Sequence, residues 1–348
     1  MFCRRNGFFL PLMLLLLCSI FLPACSPRDR QIKRGMYYWK TNVTLTADDR
    51  QFLERHQCTQ LYVRFFDVDL DRTSGKAVPV APASINLKDT SIAVVPVVFI
   101  TPAVLYQLDR FSSEALAHNL SGLLQYNCAR AGIHPKEIQI DCDWTASTKE
   151  IYFNLLQQLK REGFFKDKKL SGTIRLHQVK YMTKNGIPPA DKGLLMCYNM
   201  GKLRDIKETN SILNVATAEQ YLGNLEHYPL PLDVALPVFR WTVLFEDEQY
   251  KGILRDIGLE QLQDKAVFQP QAEHTFTVVK DTFWNGFALK KGQWVRYEDS
   301  PAKDVQKLAT FVAKHMPADS FKVLLYHLDQ QNLKKYTPDE LEKIFTRF

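Results

Sequence analysis

The chain has 348 residues, 46% hydrophobic and 12% aromatic, with 45 Lys and Arg against 38 Asp and Glu and a formal net charge of +7. That composition supplies a sizeable apolar core, and no Lys/Arg run is interleaved with aromatics, which argues against a nucleic-acid partner. None of the 7 cysteines stands in a CxxC or a Cys/His zinc spacing, so neither a metal site nor a cofactor is expected, and Cys58, Cys128, Cys142 and Cys197 read as buried free thiols.

The first element is an export signal. Arg4 and Arg5 precede an apolar stretch over residues 8–22, interrupted only by Pro11 and Ser19. That stretch is short for a membrane span. It closes on Leu22-Pro23-Ala24-Cys25, which resembles a bacterial lipobox. The resemblance implies cleavage after residue 24, a lipid on Cys25 and a membrane tether over residues 25–34. Ser26 resembles an outer-membrane sorting residue, so the expected location is the bacterial cell envelope, on the outer membrane. No later segment approaches a spanning length.

Beyond the tether, strands and helices alternate. Apolar runs predict strands over 36–39, 61–67, 92–100, 138–143, 172–178, 194–199, 234–241 and 323–328. Helical periodicity is clearest over 47–56, 113–131, 149–162 and 302–315. Eight strands with crossover helices predict an α/β fold, a (β/α)8 TIM barrel over residues 35–348. An open doubly wound sheet is the alternative, but its GxGxxG turn is absent. The long gap before the last strand predicts a small α+β insertion over about 246–300, with short strands at 276–280 and 287–297 around a Trp284-Asn285-Gly286 turn.

Sites in such barrels lie at the C-terminal ends of the strands. Polar residues crowd those ends here: Asp67 and Asp69, Thr101, Asp141 and Asp143, Arg175 and His177, Tyr198 and Asn199, Arg240 and Trp241, His327 and Asp329. Strand starts read as mostly apolar. In the fourth strand, Ile-Gln-Ile-Asp-Cys-Asp-Trp-Thr over 138–145, alternation puts Gln139, Asp141 and Asp143 on one face. Two carboxylates on one face repel, so a metal, a cation, a shared proton or a wet cavity must compensate them. On the fifth strand Thr173, Arg175 and His177 share a face and are the natural neighbours. Arg175 would keep one Asp ionised while burial lets the other hold a proton; an interior salt-bridge layer is the structural alternative. Arg64, on a face with Tyr62 and Phe66, carries the same ambiguity. Among the aromatics near strand ends, Trp39, Trp144 and Trp241 are candidates for stacking on sugar faces.

At this point the chain resembles a family. Asp141-Cys142-Asp143-Trp144 resembles the fourth-strand D-x-x-D-x-D-x-E motif of the family 18 glycoside hydrolases, the chitinases and their relatives. Tyr198 and Asn199, in the stretch Leu-Met-Cys-Tyr-Asn-Met-Gly over 195–201, resemble the sixth-strand M-x-Y-D. Gly35-Met36-Tyr37-Tyr38-Trp39 is similar to the family's opening strand. The resemblance implies an N-acetylhexosamine-containing glycan or peptidoglycan fragment as partner, with the substrate acetamide as nucleophile steadied by Asp143. The chain departs from the pattern at Ile138, at Asn199 and above all at Thr145, where the general acid would stand. A hydroxyl cannot protonate a glycosidic oxygen as a carboxylic acid can.

Three functions follow as expectations. One is a hydrolase with Asp141 and Asp143 as catalytic groups and a proton supplied by Asp67, Asp69 or Asp329; the charge of the Asp141, Asp143, Arg175 and His177 cluster tilts the balance towards it. The second is a lectin-like barrel that binds without cutting. In both, Trp39, Asp67, Trp144, Arg175, His177, Tyr198, Asn199 and Trp241 are the expected substrate contacts. The third is an envelope scaffold, whose charged layer would be buried and whose mouth would be closed.

Overall fold

The computed structural model describes residues 30–87, 91–255 and 257–348. The expected signal segment, the expected lipidation site Cys25 and the expected tether as far as residue 29 lie outside the described residues. Residues 31–348 form one compact unit.

Eight parallel strands close into a barrel: β1 (Gln31–Tyr38), β2 (Cys58–Leu70), β3 (Ala93–Ile100), β4 (Glu137–Cys142), β5 (Lys169–Arg175), β6 (Lys192–Met196), β7 (Leu232–Pro237) and β8 (Ser320–Tyr326). The ring closes because β1 pairs on one edge with β8 and on the other with β2, Gly35 facing both Leu324 and Gln60. This is the (β/α)8 architecture the alternating pattern predicts. Runs such as Ala-Val-Val-Pro-Val-Val-Phe-Ile in β3 suit strands covered on both faces. Helices at Ala47–Arg55, Arg110–Ala131, Lys149–Arg161 and Ala302–His315 start or end within three residues of the expected positions. Local chemistry sets two of those starts: Thr46 with Asp49, and Asp109 with Ser112, form reciprocal capping pairs.

One irregularity matters for the site. Pro96 in β3 has no N–H to give, and beside it β2 carries a bulge at Phe65, between Arg64 and Phe66. The extra residue shifts the alternation, so Asp67 comes round to the side of Arg64.

Several boundaries differ from expectation. β1 begins at Gln31, so Lys33 and Arg34 belong to the barrel and not to the tether; Arg34 is anchored by Glu342 at 2.8 and 2.9 Å. β5 stops at Arg175, and His177 lies on the short helix Leu176–Lys180 that follows. β7 stops at Pro237, while Trp241 opens a separate five-stranded antiparallel sheet. That sheet is the body of the insertion, which therefore starts at Trp241, before the expected 246, and has its own apolar cluster around Leu262, Phe268 and Val278. Asn285 and Gly286 turn a hairpin with φ of 45° and 86°.

Strand starts are also more polar than expected. At that end Glu137 of β4 accepts from Tyr62 (2.9 Å), Ser171 (2.8 Å) and Lys322 (2.7 Å), and Lys192 pairs with Asp233. Burial alone would raise the Glu137 pKa; Lys322 and Lys192 outweigh it and hold the carboxyl below its usual value. This layer is paired side chain by side chain and serves the barrel itself.

Candidate functional site

At the opposite end the fourth-strand pair is compensated in two different ways. Asp141 is buried inside the barrel and accepts a hydrogen bond from Thr173 Oγ1 at 2.7 Å. Burial, reinforced by the charge of Asp143 and opposed by Arg175, pushes its pKa up to about 7. Asp143 lies just past the end of β4, where Arg175 at the end of β5 holds it with two prongs, Nε to Oδ1 at 2.5 Å and Nη2 to Oδ2 at 2.8 Å. One carboxyl is left with a raised affinity for a proton, and the other has a guanidinium.

Around them, polar atoms are buried without a partner among the described residues: Arg175 Nη1, Tyr198 Oη, Gln139 Nε2 and His327 Nδ1. Unpaired groups of this kind are costly in a closed core and are completed by ordered water or by a ligand. Asp143, Arg175, His177, Tyr198, Asn199 and Tyr221 line a pocket of about 370 Å³. His177 is half-buried there, and burial lowers its pKa while Asp143 opposes the shift. A second, larger cavity of about 810 Å³ is lined by Trp39, Arg64, Asp67, Trp241, Tyr326 and His327 among others. Tyr198 lines the first and Tyr326 the second; their rings meet at 5.0 Å between the two.

The expected site residues thus fall into groups. Asp143, Arg175, His177, Tyr198 and Asn199 come together in the smaller pocket, with Asp141 buried behind them. Trp39, Asp67 and Trp241 belong to the larger cavity, so the two Trp residues and the Asp pair do not share one groove. Trp144 is not a sugar platform: its ring is fully buried, stacked on Tyr152 at 5.0 Å, with Nε1 donating to the Asn185 carbonyl. Thr145 is engaged locally, its hydroxyl 2.8 Å from Ser147 Oγ and its N–H on Thr148 Oγ1. The three substitute acids are all taken. Asp67 binds Arg64, Asp69 accepts from Thr101 at 2.8 Å, and Asp329 pairs with Lys40 and Asn332.

Sequence reasoning missed Tyr326, Phe239 and Arg255. Tyr326 and Phe239 look like core residues in a one-dimensional pattern, and Arg255 sits in an insertion with no motif. Among the described residues no group of three or more His, Cys, Asp or Glu is placed to hold a metal ion, and no helix is long and apolar enough to cross a membrane.

No protein-family model matches the chain, and no curated protein matches it by sequence. Solved structures do share its fold. A chitinase from Chromobacterium violaceum aligns over 90% of this chain and 98% of its own, with a TM-score of 0.53 and 14% identity. The spore cortex-lytic enzyme SleL of Bacillus megaterium aligns over 92% and 75%, at 0.55 and 15%. A family 18 chitinase mutant from Cycas revoluta in complex with (GlcNAc)4 aligns over 90% and 99%, at 0.51 and 12%. The fold is that of these TIM barrels.

Proposed function

We propose that the protein is a glycan-binding barrel that holds an N-acetylhexosamine-containing chain at the C-terminal mouth of its strands without hydrolysing it. The observation that carries this reading is the state of Asp143, each of whose two oxygens accepts a hydrogen bond from Arg175. A carboxylate so fixed is not free to turn towards a substrate acetamide, and Thr145 offers no acid to a leaving oxygen. Asp141, whose carboxyl holds its proton more tightly than usual, is the other group a hydrolytic reading would use, but it is buried behind Asp143 and lines neither cavity. Binding is supported by the two open cavities, by rings placed for stacking and by the unpartnered Arg175 Nη1 and Tyr198 Oη. Those open cavities also weigh against a closed scaffold. The named activities of fold neighbours, a chitinase and a spore cortex-lytic enzyme, agree with a glycan ligand.

The test is titration of the purified protein with N-acetylglucosamine oligomers and peptidoglycan fragments, with product release followed in the same samples. Saturable binding without products, weakened by Tyr198→Phe, is the expected outcome. Turnover abolished by Asp141→Asn would replace this reading with a hydrolase. The same proposal anchors the chain to the cell envelope through a lipid on Cys25, so Cys25→Ser should move the protein from the membrane to the soluble fraction.

A further inference from the structure

The larger cavity carries a charge pattern that a neutral sugar chain would leave unused. One wall is a continuous row of rings. Trp39 and Tyr326 are 5.9 Å apart between centroids, Tyr326 and Phe239 5.4 Å, and Phe239 and Trp241 5.2 Å. Lining the same cavity are four cations, Lys40, Arg64, Arg240 and Arg255, against two carboxylates, Asp67 and Asp329.

Both carboxylates are already committed. Arg64 Nε and Nη2 each reach Asp67 at 2.7 Å. Asp329 has Lys40 at 3.1 Å and the Asn332 amide at 2.8 Å. Arg240 is held against the Tyr297 hydroxyl and packs over Gly258. Arg255 is exposed. Neither arginine is in an ion pair with a carboxylate among the described residues. His327, beside them, adds an unpartnered buried Nδ1.

We infer that this cavity takes a saccharide that bears a carboxylate, its ring face on the aromatic row and its charge on Arg255 and Arg240. The inference rests on the glycan-binding reading and adds to it the charge of the ligand. A planar guanidinium fork matches a carboxylate with two parallel hydrogen bonds. A concave site with excess positive charge and apolar walls focuses its field on an incoming anion. Sugar faces stack on rings while their edges take hydrogen bonds. Insertion and barrel meet here, because Trp241 and Arg255 come from the insertion, Trp39 from the end of β1 and Tyr326 from β8.

The experiment is calorimetric titration of the full protein with three ligands of equal length. They are the neutral N-acetylglucosamine tetramer, a tetrasaccharide alternating N-acetylglucosamine with N-acetylmuramic acid, and the methyl ester of that acid. The free acid is expected to bind about tenfold more tightly than its ester, the worth of one charged hydrogen-bonded contact. Added salt should shrink the preference. Arg255→Gln, at an exposed position without an ion pair among the described residues, should lower affinity for the acid about tenfold and close the gap to the ester, with an unchanged melting temperature showing that the fold is intact. Equal binding of acid and ester overturns the inference while leaving the glycan reading in place. If none of the three ligands binds, the glycan reading fails as well. Inorganic phosphate that displaces the acid at lower concentrations than acetate does would reassign the site to phosphate and overturn the carboxylate.

Discussion

Arg175 and Asp143 close a two-pronged ion pair across the ends of β5 and β4, at 2.5 and 2.8 Å. The pair settles what a carboxylate at that position is free to do. Turning it towards a ligand breaks two charge-assisted hydrogen bonds at once and strands a guanidinium that is only 20% exposed. Replacing Thr145 with Glu is therefore expected to confer no hydrolysis by itself. Release of reducing ends from a chitooligosaccharide by Thr145→Glu would show that Asp143 is mobile after all.

Asp143→Asn removes the charge but keeps the shape. With its partner partly solvated, the expected loss of stability is about 1–3 kcal/mol, read as a lower urea midpoint at unchanged slope. No change in midpoint would mean that the pair contributes nothing beyond geometry.

Asp141 makes a prediction about pH. Folded, its carboxyl keeps a proton up to about 7, because burial and the neighbouring Asp143 disfavour the ionised form. Unfolded, it releases that proton near the ordinary aspartate value of 3.8. Between those values the folded chain binds more protons, so this group's contribution makes stability fall as pH rises through the window, and level off above it. His56, His177 and His327, whose pKa values are lowered by burial, act in the opposite sense below 6.5. The contribution of Asp141 is isolated by difference. Asp141→Asn is expected to gain on the native chain from pH 4 to 7, by more than about 1 kcal/mol, and then to hold that gain. A difference independent of pH would mean that Asp141 is ionised in the fold.

Much of this was legible in the chain. Apolar runs and crossover helices gave the barrel because each strand is covered on both faces, which leaves a one-dimensional trace. Alternation found Asp141 and Asp143 and named Arg175 as the neighbour, since the next strand of a parallel barrel is the next strand in sequence. Three things left no trace. The bulge at Phe65 breaks the period that put Arg64 on a face with Tyr62 and Phe66. His177 follows a strand end that no breaker residue announces. Trp144, next to the polar pair, turns away from it into the helix layer, where Tyr152 and Phe153 receive it.

That last placement separates two tryptophans that look alike in sequence. Trp144 is core, so Trp144→Ala should cost about 3–5 kcal/mol. Trp241 lines the larger cavity and is only partly buried. Trp241→Ala should cost less in stability and weaken glycan affinity by about tenfold, the worth of a stacked ring with its buried area. Intrinsic fluorescence quenching by ligand that survives in Trp241→Ala but vanishes in Trp144→Phe would reverse the assignment.

The insertion, finally, helps hold the mouth in shape through a buried ion pair. Arg296 Nε donates to Glu298 Oε1 at 2.7 Å, while its Nη1 and Nη2 donate to the carbonyls of Asp205 and Leu203 at 2.8 and 3.0 Å. Glu298 Oε2 accepts from the Ser211 N–H at 2.8 Å and from Trp241 Nε1 at 2.9 Å. One ion pair thus ties the loop after β6 to the insertion and orients a wall residue of the cavity. Both side chains are out of solvent, so removing one leaves an uncompensated charge. Glu298→Ala is expected to cost about 3–5 kcal/mol, and Glu298→Gln less, because the amide oxygen still accepts. Hydrogen exchange gives the specific readout. Backbone amides over residues 203–211 should lose protection in Glu298→Ala well below the global unfolding transition. If they stay protected until the whole barrel melts, the pair is a core contact of the insertion and not the clamp on this loop.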